Sequence, residues 1–136
     1  MRSNARSQAG FTILEIVIVF ILLAGIMAFV GPKIFEQMNR AKGDEAKVRL
    51  LNVAQNITMY YADTNKYPTS LNDLVQQPGG LEKWHGPYGK AEDLKDAWGN
   101  DYVYAVPGKQ GKPYDLMSYG ADGKAGGEGA DRDITN

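Results

Sequence analysis

The chain has 136 residues, a formal net charge of −1 and no cysteine. That length holds one domain beyond an anchor, and the near-neutral balance offers no basic field for nucleic acid. Without cysteine, a disulfide framework and a thiolate metal site are both excluded. A small extracytoplasmic domain would then need some other staple.

From Phe11 to Val30 the only charge is Glu15. As a helix this stretch spans about 30 Å, the thickness of a bilayer's hydrocarbon core. The plain reading is an uncleaved anchor or a secretory signal peptide, and two features oppose it. A carboxylate deep in an apolar segment costs roughly 2.5–3.5 kcal/mol on insertion scales, so it is rarely there without a task. The basic leader, with Arg2 and Arg6, ends in Gly10 directly before Phe11, and no small-x-small cleavage site follows the apolar core.

Gly10-Phe11-Thr12-Ile13-Leu14-Glu15 resembles the type III signal of prepilins and pseudopilins. The resemblance implies that a prepilin peptidase removes the leader, residues 1–10, by cutting after Gly10, and that the new Phe11 terminus is N-methylated. The Phe11 amine and the Glu15 carboxylate would then lie four residues apart on one helix face. They can neutralise each other in part, or Glu15 can meet the amine of the next subunit and set the register of assembly. Loss of the leader leaves 13 basic against 16 acidic side chains. Lys33, Arg40 and Lys42 follow the apolar run, so the positive-inside rule does not orient the chain alone. The resemblance to a cleaved leader does, implying a cytoplasmic N-terminus with the rest of the chain outside.

Further along, Gly25, Gly31 and Pro32 predict a kink or local melting around Ala28–Pro32. The prepilin resemblance implies a transmembrane, filament-core helix over residues 11–32 and a periplasmic domain over residues 33–136. No Pro occurs from Lys33 to Ala62, and Ile34, Met38, Ala41, Val48, Leu51, Ile57 and Tyr61 fit one core-facing stripe of a continuing helix. Asp63 to Pro68 ends it. Thr69 or Ser70 caps a short helix to about Val75, with Asp73 near its N-terminus, and Gln77-Pro78-Gly79-Gly80 stops it. Residues 79–97 read as a long loop with Trp84, Pro87 and Tyr88 packing its base. After a turn at Trp98–Asp101, Tyr102–Val106 and Tyr114–Tyr119 form a hairpin across a loop at 107–113. The tail from Gly120 to Ile134 has almost no apolar surface and by itself reads as disordered.

Asp122, Glu128, Asp131 and Asp133 crowd that glycine-rich tail. Hard oxygen ligands on a backbone free to curl suit Ca²⁺ better than Mg²⁺, which demands tighter geometry. Asp122-Gly123-Lys124 lacks the second and third ligand positions of an EF-hand, and composition leaves a solvated acidic tail equally open. An enzyme is not indicated. The one histidine, His85, has no nucleophile or metal partner in the pattern.

The second half carries a more specific resemblance. Tyr67-Pro68, Asp96-x-Trp98-Gly99-Asn100, Tyr102-Val103-Tyr104, Tyr114-Asp115-Leu116, Ser118-Tyr119-Gly120-Ala121-Asp122-Gly123 and Asp131-x-Asp133-Ile134 resemble the major pseudopilin family of the type II secretion system. The implied fold is α+β: a long N-terminal helix with a small antiparallel β-sheet packed on its C-terminal half, and a calcium-binding C-terminal loop. The implied metal ligands are Asp122, one or both of Asp131 and Asp133, and the Tyr119 carbonyl. Ala97 and Asp101 stand where the family often has Pro.

The implied function is structural: a helical homopolymer, the periplasmic pseudopilus, that drives folded proteins through the outer membrane. Its partners would be further copies, minor pseudopilins, the prepilin peptidase and the inner-membrane assembly platform. Its place would be the inner membrane of a Gram-negative bacterium, single-pass, with the C-terminal domain in the periplasm. The alternatives are a type IV pilin forming a surface fibre and a membrane-anchored calcium-dependent enzyme or binding module. Many type IV pilins staple their C-terminal region with two cysteines, which this chain lacks. Self-association into filaments separates the module from the other two.

Overall fold

The computed structural model describes Gly10 to Asn136, so the expected leader lies outside the described residues except for Gly10, which is exposed. Helix α1 runs from Ile13 to Thr64. Among the described residues it is the one helix long and apolar enough to cross a membrane. Two compact units divide the chain after Gln37. In the first, the apolar side chains stand exposed: Phe20 is 67% and Phe29 84% accessible. The backbone stays helical across Ala28–Pro32, so of the kink or local melting expected there the melting does not occur. Pro32 lacks only the N–H that would reach the Ala28 carbonyl, and the turns on either side keep their own bonds.

The second unit is built on the last part of α1. Ala46, Leu50, Val53, Ile57, Tyr60 and Thr64 are buried, a spacing of three and four residues that marks one helix face. This corrects the stripe read from the sequence, of which only Ile57 is in the core. Val48 and Leu51 are 58% and 53% exposed, and Ile34, Met38, Ala41 and Tyr61 also face outward. The helix carries apolar residues on more than one face, and periodicity does not say which face the sheet will cover.

That sheet has three strands in the order β1-β2-β3, β1 being Val103–Ala105, β2 Asp115–Ser118 and β3 Ile134–Thr135. Both pairings are antiparallel, with Tyr104 opposite Leu116 and Ser118 opposite Ile134. Tyr102, Leu116 and Ile134 join Leu74 and the α1 residues in one core. The hairpin is as expected, with each strand shorter by one residue at either end. β3 is not. The tail read as disordered contains a 3₁₀ turn at Gly129–Asp131 and then pairs with β2, burying Ile134. The buried Ile134 and the pairing with the edge of β2 anchor its end, and neither registers as a local composition signal.

The connection after α1 closes by side-chain capping. Thr64 Oγ1 donates to the Tyr60 carbonyl at 2.8 Å, and Asn65 takes a left-handed conformation, φ 55°. The short element after Ser70 is a 3₁₀ turn, Leu71–Leu74, where the Thr69 and Ser70 amides donate to Asp73 Oδ2 at 2.8 and 3.1 Å. The loop at 79–97 is packed through its aromatics. Trp84 Nε1 donates to the Asp73 carbonyl at 2.8 Å, and Tyr88 meets the rings of Tyr60 and Trp84 edge-on. A second 3₁₀ turn, Ala91–Leu94, lies within this loop.

Candidate assembly segment and candidate calcium loop

At the start of α1, Thr12 and Glu15 bond reciprocally. The Glu15 amide donates to Thr12 Oγ1 at 3.2 Å and the Thr12 amide to Glu15 Oε2 at 3.5 Å. This is a capping box, and its Thr-x-x-Glu signature is legible in the sequence. The carboxylate also sits at the positive end of the helix dipole, where a negative charge is favoured. Glu15 therefore has a local partner before any second chain is considered. Phe11 beside it is 80% exposed. Pro32 lies inside the helix, well away from this N-terminal cap.

In the second unit, β2 ends at Ser118 and β3 begins at Ile134. The backbone between them is closed on itself: the Ala121 amide donates to the Ala130 carbonyl at 2.9 Å, and the Asp131 amide to that of Glu128 at 3.1 Å. Asp122 Oδ1 accepts the Lys124 amide at 3.0 Å, and both carboxylate oxygens of Asp133 accept the Gly126 amide at 3.0 Å. Gly120 and Gly127 have φ of +78° and +104°, and a Cβ on either would come within 2.8 Å of the Asp131 carbonyl oxygen. Only glycine lets the chain fold this tightly around Asp131.

Asp122 and Asp133 are exposed and Asp131 half-buried, as is Tyr119. Among the described residues no three His, Cys, Asp or Glu side chains gather into a group that could hold a metal. The loop thus places the three aspartates on one short closed backbone without bringing all three carboxylates to a common point. A cation here would be held by fewer side chains together with main-chain carbonyls. That donor set, hard oxygens on a curled glycine backbone, fits Ca²⁺, which takes carbonyl oxygens readily and tolerates irregular geometry.

The base of the loop rests on a residue noted in the sequence only as part of a motif. Asp96 is 2% exposed. Its Oδ1 accepts the Trp98 and Asn100 amides at 3.0 and 2.8 Å, forming the turn, and its Oδ2 accepts the Ser118 hydroxyl at 2.6 Å. Ser118 Oγ in turn accepts the Gly120 amide at 3.2 Å, and Asn100 Nδ2 donates to the Gly120 carbonyl at 3.0 Å. An Asp two residues before Trp-Gly is a recognisable turn former, but nothing local shows that its second oxygen crosses to β2. Nearby, the Tyr102 hydroxyl is buried without a hydrogen-bond partner among the described residues. Burial pushes its pKa up to about 12, the Asp96 charge adding to the shift and Arg49 opposing it.

His85 is 73% exposed at its side chain, with Nδ1 3.8 Å from Asp63 Oδ2.

A family model described as type II secretion system, protein G, matches residues 33–136. The chain is 42% identical to type II secretion system core protein G of Xanthomonas campestris pv. campestris, over 98% of this chain and 93% of that one. It is 38% identical to the core protein G of Pseudomonas aeruginosa, over 96% of each. Among solved structures it is similar to the major pseudopilin from the type 2 secretion system of enterohaemorrhagic Escherichia coli. That likeness has a TM-score of 0.56 at 28% identity, covering 74% of this chain and 90% of the other.

Proposed function

Because the chain belongs to the protein G family of the type II secretion system, we propose that it is the structural subunit of that system's pseudopilus. Copies polymerise, and the growing filament drives folded proteins out through the outer membrane. The observation that carries this is the joining, in one helix, of an exposed membrane-length apolar stretch to a sheet-covered domain of pseudopilin type. Apolar surface on that scale requires lipid before assembly and other copies after it.

On this reading the leader ends at Gly10, a prepilin peptidase cuts after it, and the Phe11 amine is methylated. The apolar helix anchors the chain in the inner membrane of a Gram-negative cell, and the domain lies in the periplasm. Glu15 serves twice. In the free subunit the capping box keeps its carboxylate satisfied at the helix start, and in the filament it receives the amine of a neighbouring Phe11. Minor pseudopilins and the inner-membrane assembly platform would be its further partners.

The C-terminal loop would take Ca²⁺ through Asp122, one or both of Asp131 and Asp133, and carbonyls including that of Tyr119. Calcium supplies the positive charge that an acidic loop lacks and draws its separate carboxylates and carbonyls to one point. It would thereby replace the disulfide that a chain without cysteine cannot form.

The direct test is deletion of the coding sequence in its host. Periplasmic cargo should accumulate inside the cell while surface pili persist. Normal cargo export, or loss of surface pili with export intact, would overturn the assignment. Gly10→Val should leave a membrane-inserted precursor that retains its leader, read by mass spectrometry, because the peptidase needs bare backbone at the cut.

A further inference from the structure

Between the C-terminal loop and the rest of the second unit lies a chain of hydrogen bonds that runs through one buried carboxylate. We propose that Asp96 is a positioning residue for calcium: through Ser118 and Asn100 it fixes Gly120, so that the loop is already closed when the ion arrives. The proposal rests on the calcium reading above and concerns residues that would not touch the metal.

A carboxylate that is 2% exposed must be repaid in hydrogen bonds, and Asp96 receives three. Two come from its own turn and would be made equally well at the surface. The third, from Ser118, reaches the end of β2 and explains the burial. Ser118 is wholly buried, and its hydroxyl both donates to Asp96 and accepts the Gly120 amide. Asn100, whose own amide is held by Asp96, grips the carbonyl of the same glycine. Gly120 is therefore held at its amide by Ser118 and at its carbonyl by Asn100, two residues that Asp96 itself bonds.

Its position makes that consequential. Gly120 packs directly against the backbone of Ala130 and Asp131, and it stands two residues before Asp122. The entry and the exit of the candidate ligand loop meet there. Glycine-rich backbone is costly to order, and a loop ordered in advance does not charge that cost against metal binding. Supports of this kind, one shell out from the ligands, alter metal affinity by about 10–100-fold when removed.

The chemistry also explains why the residue is Asp and not Asn. All three groups facing the carboxylate are donors. An amide at position 96 would turn its NH₂ toward Ser118, whose oxygen already accepts from Gly120, and the Ser118 hydroxyl proton would lose its acceptor.

The test uses the full processed chain in detergent micelles, titrated with Ca²⁺ alone by calorimetry, with amide exchange followed in chelator. Ser118→Ala, which leaves the Asp96 turn intact, should weaken calcium binding about tenfold. It should also lose protection at the Gly120 and Ala121 amides while those of β1 and β2 keep theirs. Asp96→Asn should weaken binding in the same direction and provides the second variant if Ser118→Ala folds poorly. Val53→Ala, a core change on α1, serves as the control that lowers melting temperature without moving the calcium affinity. Ser118→Ala and Asp96→Asn proteins that bind calcium as the wild type does would overturn the proposal alone. A wild type that takes up no calcium would overturn the metal reading and this proposal with it.

Discussion

The Tyr88 hydroxyl donates to Asp63 Oδ2 at 2.7 Å and accepts the His85 amide at 2.9 Å, joining the long loop to the last turn of α1 across 25 residues of sequence. The Tyr88 ring lies edge-on to Tyr60, so one side chain contributes both packing and a polar clasp. Tyr88→Phe keeps the ring and removes the clasp. Because Asp63 is partly exposed and can turn to water, the expected loss is modest, about 1 kcal/mol in denaturant unfolding. Asp63→Asn should cost less, since an amide oxygen still accepts. A loss from Tyr88→Phe of several kcal/mol would mean that the loop melts as a whole when the clasp opens.

Tyr102 is expected to give the domain an alkaline limit. Its phenol is neutral when folded up to a pKa of about 12, while the unfolded chain ionises near pH 10. The folded state then binds the proton more tightly, so its stability is complete below about pH 10 and falls as pH rises toward 12. The fall is on the order of 2 kcal/mol. Tyr104, raised chiefly by its own burial, acts in the same direction, so Tyr102→Phe should shallow this slope without abolishing it. At neutral pH the same substitution deletes a buried hydroxyl that no described protein group satisfies, and stability should rise or stay level. Denaturant midpoints of both proteins from pH 7 to 12 check both statements.

Glu15→Ala separates insertion from assembly. It removes a charge from an apolar segment, so membrane entry should be at least as good as before. Only the carboxylate half of the capping box is lost, since the amide of residue 15 still donates to Thr12 Oγ1, so the local cost stays below about 1 kcal/mol. Filament yield should nevertheless fall severely, because the neighbouring Phe11 amine loses its counter-charge. Thr12→Ala breaks the same cap and keeps the carboxylate. If it lowers filament yield as much as Glu15→Ala, capping and not charge pairing is what assembly requires.

Chelator should lower the melting temperature of the processed chain in detergent, and Asp122→Ala should erase the difference between chelator and calcium. At a hundredfold excess over its dissociation constant a ligand adds about 2.7 kcal/mol, which is several degrees for a domain of this size. Asp131→Ala and Asp133→Ala should differ in effect, since Asp133 already accepts the Gly126 amide and Asp131 is more deeply set. Equal melting of the wild type with and without calcium would reduce the loop to an acidic turn.

What the sequence determined by itself is the part of this protein governed by local and short-range physics. An apolar run of membrane length, a single carboxylate after Gly-Phe, turn formers after α1 and two β-rich segments each declare themselves within a few residues. Three things were settled only by the tertiary structure. The first is which face of α1 is core: Leu50 and Val53 are buried while Val48 and Leu51 face out, a choice made by where the sheet lies. The second is the order of the tail, which depends on Ile134 finding the free edge of β2 and the core beneath it. The third is the task of Asp96, whose partner Ser118 lies 22 residues away. Each is a contact between segments distant in sequence, and its energy belongs to both partners, so neither stretch read alone contains it.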